Sequence, residues 1–347
     1  MTKHSLFIIY LLAAFFIAGC SRYPQQIKRL QWCTMGTIAA VQSTDLASAQ
    51  KLRTTAIDSF GKVEDELSAW NPESDLSTIN NRAGSNTPTP VSAAFTNILK
   101  ISTDFASLSD GAFNPLIGPV LNAWGFNGTT APAAPPADAD LSKALMLANT
   151  AEIRVTTSGN TPLVSLGLPG MQLDFGAVAK GYAVDIVWQK ATKQGLSNLL
   201  IDLGGNLRAM GEAQPGRGGW LTGIKNPFNK NRLIAKVLLL DGEAISTSGN
   251  YERFVEIKGE RCAHIIDGRT AKPVKGMAGV TVIAPDAATA DALSTTLFIT
   301  GVEKGEMLLE KHFTNSLALW IPDRQPAEII ATDRMKQRLQ KISVPYR

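Results

Sequence analysis

The stretch Asp174-Phe-Gly-Ala-Val-Ala-Lys-Gly-Tyr-Ala-Val-Asp185 runs from an apolar strand through a glycine turn into a helix. Such a corner constrains the fold strongly. It collects first-turn N–H groups, a turn carbonyl and Lys180 at one point, where an anion is favoured. Far along the chain, His264-Ile-Ile-Asp267 and Ala290-Asp-Ala-Leu-Ser-Thr295 supply complementary groups. On a helix over Ala287–Thr300, Asp291 and Thr295 stand four residues apart and share a face. With the turn carbonyl near Ala177 they make a hard, all-oxygen set, suited to a Mg²⁺ ion that also binds substrate phosphates. Taken singly, each residue also has a plainer role. Asp174 caps the following helix, Gly176 and Gly181 serve close packing, and Asp291 is a first-turn helix acid. Thr295 is then a packed residue and His264 a hydrogen-bonded strand-end histidine.

The N-terminus predicts a signal peptide over residues 1–19. Lys3 gives a basic start, and Leu6–Ala18 is an apolar run of 13 residues, too short to span a bilayer. Its Ile17-Ala-Gly-Cys20 ending resembles a bacterial lipobox, which implies cleavage before Cys20 and lipidation of its sulfur; the alternative is an ordinary secretory signal with an incidental cysteine. Residues 20–30 then form an anchor and tether, and Ser21 carries no inner-membrane retention signal. The whole chain is 44% hydrophobic, and residues 31–347 suffice for one large domain or two lobes. The formal charge of +4 is unclustered and argues against nucleic acid as a partner. Beyond Cys20 only Cys33 and Cys262 remain, able to pair in an oxidising compartment. His264 and His312 are too few to ligate zinc.

Hydrophobic spacing predicts helices over Leu46–Leu67, Asp75–Asn80, Val91–Leu108, Leu141–Ala148, Ala177–Gln194, Ala287–Thr300 and Glu303–Lys311. Strands are expected at Thr34–Gln42, Glu152–Thr156, Pro162–Leu166, Gln172–Phe175, Asn198–Leu203, Trp220–Lys225, Ala235–Leu240, Phe254–Ile257 and Val280–Ala284. A terminal hairpin joins Leu317–Ile321 to Glu328–Ala331. Residues 129–140 form an Ala/Pro/Asp-rich surface loop. Helices lead and strands follow, so the class is α+β.

Five ordered segments carry a resemblance. Asp174–Asp185, Asn198–Gly211, Ala244–Phe254 (Ala-Ile-Ser-Thr-Ser-Gly-Asn-Tyr-Glu-Arg-Phe), His264–Pro273 and Val280–Thr296 are similar to the ApbE family of periplasmic FAD:protein FMN transferases, which are often lipoproteins. Met35-Gly-Thr37, Leu67-Ser-Ala-Trp70, Gly111-Ala-Phe-Asn114 and Trp124-Gly-Phe126 extend the similarity over most of the chain. The resemblance implies a two-lobed module with FAD in the cleft between the lobes. It implies an FAD site lined by Met35, Trp70, Ala112, Phe113, Asn114, Asp174, Lys180, His264 and Ile266. It further implies Mg²⁺ on the Ala177 carbonyl, Asp291 and Thr295. At position 114 the family commonly shows aspartate; asparagine keeps the shape but loses the charge.

The implied chemistry is Mg²⁺-dependent transfer of FMN from FAD to a protein Thr or Ser hydroxyl, with release of AMP. Lys180 neutralises phosphate charge and His264 is the candidate base. The implied acceptors are periplasm-facing, flavin-carrying subunits of membrane redox complexes or similar flavoproteins. The same residues also suit a Mg²⁺-dependent FAD pyrophosphatase, and a flavin-binding lipoprotein without catalysis is a third alternative. Ser59-Phe-Gly-Lys62 and Ser248-Gly-Asn250 match penicillin-binding motifs, but no K-[ST]-G follows. Ser59 and Lys62 are accounted for as surface positions of a helix.

Overall fold

The computed structural model describes residues 26–340 and 342, apart from 86, 128–131 and 252–253. The signal segment, Cys20 and the start of the Ala/Pro-rich loop lie outside the described residues. The core element is an eight-stranded antiparallel sheet. Its strands, in spatial order, are Lys28–Thr34, Thr37–Ser43, Leu199–Leu203, Asn206–Met210, Ala244–Gly249, Met277–Ala284, Leu317–Pro322 and Ile330–Ala331.

Both faces of this sheet are covered, and the side-chain alternation shows how. Leu199, Ile201 and Leu203 join one apolar cluster, whereas Leu200 joins another. Val280 and Val282 likewise face the first cluster and Ile283 the second. A period of two sorts residues to opposite faces. The first face packs against helices Leu46–Leu67, Ala93–Leu108, Ala179–Lys193 and Ala287–His312. The second is covered by a smaller sheet of Trp220–Asn226, Asn229–Leu239 and Leu339–Gln340. The α+β class therefore stands. Among the described residues no helix is long and apolar enough to cross a membrane.

The predicted Leu46–Leu67 helix forms over that span, with Asp45 accepting from the Ser48 N–H at 2.7 Å as its N-cap. The last long helix is two helices joined at Gly301 (φ 77°), as the two expected segments imply. Other expectations need correction. Thr34–Gln42 is not one strand but the end of one and most of the next, because Met35 (φ 48°) and Gly36 (φ 66°) make a hairpin turn between them. Two successive positive φ values match the twist of a hairpin. Residues 28–30, expected in the tether, open the edge strand.

Gln172–Phe175 is not a strand. Its backbone bonds go to Asn80, whose side chain both donates to and accepts from Leu173, and to the Pro115 carbonyl. Ser59 is no surface residue either. It is 1% exposed, donates to the Thr55 carbonyl at 2.6 Å and accepts from Lys190 Nζ at 2.9 Å. Cys33 and Cys262 are free thiols.

Candidate active site

Two helix starts meet at the sheet. The Ala179–Lys193 helix begins without a side-chain cap, so Asp174 does not cap it. Asp174 instead accepts the Gly176 N–H at 2.7 Å and closes the preceding turn. The expectation of free first-turn amides is also corrected. The Val178 and Ala179 N–H groups both close on the Phe175 carbonyl, and the Gly181 N–H donates to Asp291 Oδ2 at 3.0 Å. The anion at this helix start is the protein's own carboxylate, stabilised there by the N–H group and the helix dipole.

The diverted Gly181 amide has a consequence one turn back. Among the described residues no amide closes on the Ala177 carbonyl. Lys180 Nζ lies 3.0 Å from the Gly176 carbonyl oxygen and 3.7 Å from Asp291 Oδ2. Gly181 is required by contact: a Cβ there would lie 2.1 Å from the Ala287 carbonyl oxygen.

On the facing side, a hydroxyl network joins the Ala244–Gly249 strand to the Ala287–His312 helix. Ser246 lies 3.4 Å from Asp291 Oδ1, but its one hydrogen makes the shorter bond to Asn206 Oδ1 at 2.7 Å. Asp291 Oδ1 is thus weakly partnered although the residue is 4% exposed. Ser294 donates to the Asp291 carbonyl at 2.9 Å. Ser248 therefore donates to Ser294 (2.8 Å) and accepts from Thr295 (2.9 Å). The Thr295 hydroxyl hydrogen is committed and its lone pairs are available. Asn206, Ser246 and Ser248 were not singled out as site residues by sequence spacing, although all lie inside the quoted motifs.

The oxygens present suit a hard divalent cation. A buried carboxylate oxygen with a weak partner, a carbonyl without an amide and an oriented hydroxyl make a partial oxygen set. Among the described residues no three of His, Cys, Asp and Glu gather into a metal site. One protein carboxylate is the pattern of an ion that completes its shell from water and phosphate.

A cleft of about 330 Å³ has Asp174 in its wall and is further lined by Trp70, Asn80, Asn81, Asn122, Asn127 and Gln172. Trp70 is 62% exposed, held in a turn whose Trp70 and Asn71 N–H groups donate to Ser68 Oγ. The carboxamides are linked: Asn127 donates to Asn122 Oδ1 and Asn122 to Gln172 Oε1. An exposed indole lining the same cleft as these neutral donors and acceptors suits a planar heterocycle.

The remaining sequence-predicted residues lie on other segments, and the loop carrying Ala112–Asn114 meets the Asp174 turn, where the Asp174 N–H donates to the Pro115 carbonyl at 2.7 Å. Ala112 and Phe113 are buried, with Phe113 packed on Phe105. What this loop presents is backbone: the Gly268 N–H donates to the Ala112 carbonyl at 3.0 Å. That bond stitches residues 111–114 to the segment carrying His264 and Ile266. His264 is half-buried; Ile266 is buried against the Val120–Trp124 cluster. Met35 sits at the hairpin tip, half-buried against the helical core. Asn114 donates to the Ala148 carbonyl (2.8 Å) and accepts from the Leu116 N–H (2.9 Å). An ionised aspartate cannot make the first of these bonds.

Known proteins share this architecture. The FAD:protein FMN transferase of Vibrio cholerae serotype O1 is 31% identical over 307 residues, covering 87% of this chain and 90% of the relative. The solved flavin transferase ApbE from Vibrio cholerae superposes with a TM-score of 0.77 at 28% identity, over 91% of this chain and 100% of that one. The ApbE protein of Thermotoga maritima gives 0.80 at 27% identity, with the same coverage. The ApbE family model matches residues 35–320. That match runs from the Met35 turn, through both helix starts, into the Leu317–Pro322 strand: the chain belongs to the ApbE family.

Proposed function

We propose that this protein transfers FMN from FAD to a Thr or Ser hydroxyl of a target flavoprotein and releases AMP. The observation that carries it is the placement of Lys180 Nζ 3.7 Å from Asp291, with Asp174 one turn away lining the Trp70 cleft. A charged phosphate end and a ring-binding end are thereby joined through one turn. The relatives' shared name, FAD:protein FMN transferase, supports the same activity.

In this mechanism a planar ring of FAD stacks on Trp70, and the linked carboxamides satisfy its edge. Lys180 neutralises negative charge on the pyrophosphate and on departing AMP. Mg²⁺, held by the Ala177 carbonyl, Asp291 and Thr295, would supply further charge neutralisation at the phosphates. The acceptor hydroxyl oxygen forms a bond to the FMN phosphorus as the bond to the AMP oxygen breaks. His264 takes the hydroxyl proton. The acceptors are flavin-carrying subunits exposed to the periplasm, where Cys20, lipidated, holds this protein at the membrane. A Cys20→Ala variant should then fractionate as soluble; continued membrane attachment would refute lipid anchoring.

The direct test is incubation of residues 21–347 with FAD, Mg²⁺ and a periplasmic flavoprotein subunit carrying an acceptor threonine. Mass spectrometry should find an FMN-sized addition on that threonine together with AMP. AMP without an adduct would favour pyrophosphatase activity. Bound FAD with neither product would reduce the protein to flavin binding.

A further inference from the structure

We propose that Asp185, held by Arg208, is a positioning residue that sets the Asp291–Thr295 face against Lys180 and the Ala177 carbonyl. Its consequence for metal binding rests on the function proposed above. The two helices are capped reciprocally. Asp185, in the Ala179–Lys193 helix, accepts the N–H groups of Ala287 (2.8 Å) and Ala288 (2.9 Å), the first two residues of the other helix. In return Asp291 accepts the Gly181 N–H, one turn before Asp185. Each helix start is closed by the other's carboxylate, so the two cannot shift relative to one another without breaking bonds at both.

Arg208 locks the arrangement from the sheet. One guanidinium nitrogen meets Asp185 Oδ1 at 2.6 Å, a second donates to the Pro285 carbonyl just ahead of the Asp291 helix, and Nε donates to the Gly242 carbonyl. Its Cζ lies 4.0 Å from the centroid of the Trp188 ring. A lysine cannot reproduce this planar fork. The Asp291 helix also has an ordinary N-cap, Asp286, which accepts the Thr289 N–H at 2.8 Å within its own first turn. The helix start is therefore already capped locally, and Asp185 adds a tie to a second element.

That contrast supplies the control. Asp185→Asn should speed hydrogen exchange at the Gly181 amide about tenfold in the metal-free protein. It should weaken Mn²⁺ binding, followed by electron paramagnetic resonance without FAD, by about 10- to 100-fold. Asp286→Asn, matched for loss of thermal stability, should change neither. Wild-type exchange at Gly181 in a folded but destabilised Asp185→Asn protein would overturn the proposal, leaving Asp185 as a stabilising ion pair alone. If Asp185→Asn does not fold, Arg208→Lys decides by the same two readouts. Should wild-type protein bind no Mn²⁺, the metal part of the proposed function falls, and Gly181 exchange alone decides the clamp.

Discussion

The paired helix starts and the Trp70 cleft handle two ends of one proposed ligand by opposite means. At the junction, Asp185 is 7% and Asp291 4% exposed, and backbone amides fix both carboxylates. In the cleft, Trp70 is 62% exposed, and the lining is mainly neutral, with carboxamides beside the Asp174 carboxylate. Buried charges must be fixed in advance, because an unpaired one costs several kcal/mol. An indole needs no such fixing, since stacking tolerates displacement. The phosphate end is therefore stiff and geometry-dependent, and the ring end contributes affinity.

The sharpest way to break this division is at Asp291. Asp291→Ala should lower Mg²⁺-dependent turnover by about 10³-fold, since it removes the carboxylate that orients Gly181 and faces Lys180. Steady-state AMP release checks it; near-wild-type rates would take Asp291 out of the charge-handling end. His264→Ala comes next, with transfer slowed by about 10²–10⁴-fold and FAD binding unchanged by fluorescence titration. Equal losses in both would move His264 from the chemistry to the binding end.

Trp70→Ala should act on affinity instead. Losing one stacking platform costs about 1–3 kcal/mol, or roughly 5- to 150-fold in FAD affinity, with turnover at saturating FAD preserved. A fall in saturated turnover with unchanged affinity would mean that the cleft orients the reaction and is not merely adhesive.

The junction also has a pH signature. Burial pushes the Asp185 carboxyl up to about 6, outweighing the opposing pull of Arg208 and two amides. Between the ordinary aspartate range and about 6, the folded protein holds a proton that the unfolded chain has released. This contribution to stability is full at low pH and is lost as pH rises through that window. Its slope reaches at most about 1.4 kcal/mol per pH unit. Urea unfolding from pH 4 to 6.5 should show this slope in wild type but not in Asp185→Asn; parallel curves would mean that Asp185 stays ionised throughout.

The sequence disclosed these two regions unequally. Asp291 and Thr295 were legible because helical spacing alone puts them on one face, and Lys180 because it follows a glycine turn. The hydroxyl relay was not, since Ser246 and Ser248 meet Ser294 and Thr295 only through pairings more than 45 residues apart. Local propensity also hid the amides. Nothing in Gly176–Gly181 says that the free N–H expected at the helix start is taken by a carboxylate 110 residues away. The hairpin at Met35 carries no local signal, because methionine at positive φ is no turn signature. The Leu46–Leu67 helix, by contrast, rests on its own periodicity and needs no partner to be recognised.

Asn114 gives the smallest effect and the finest discrimination, because it lies in neither region. Its side chain serves two backbone groups, the Leu116 N–H and the Ala148 carbonyl. Asn114→Asp introduces the residue that the family resemblance implies here but turns a donor into an acceptor facing that carbonyl. A lost hydrogen bond and an opposed oxygen pair should cost about 1–3 kcal/mol of stability, measured by urea unfolding. If asparagine is an accommodation confined to the fold, FAD affinity and turnover should stay near wild type while stability falls. If the charge serves the ligand, turnover or affinity should rise despite the lower stability. Stability lost with function gained would mark position 114 as a compromise between the loop's own bonding and the site beside it. Stability lost with function unchanged would show that the charge-handling machinery ends at the helix junction.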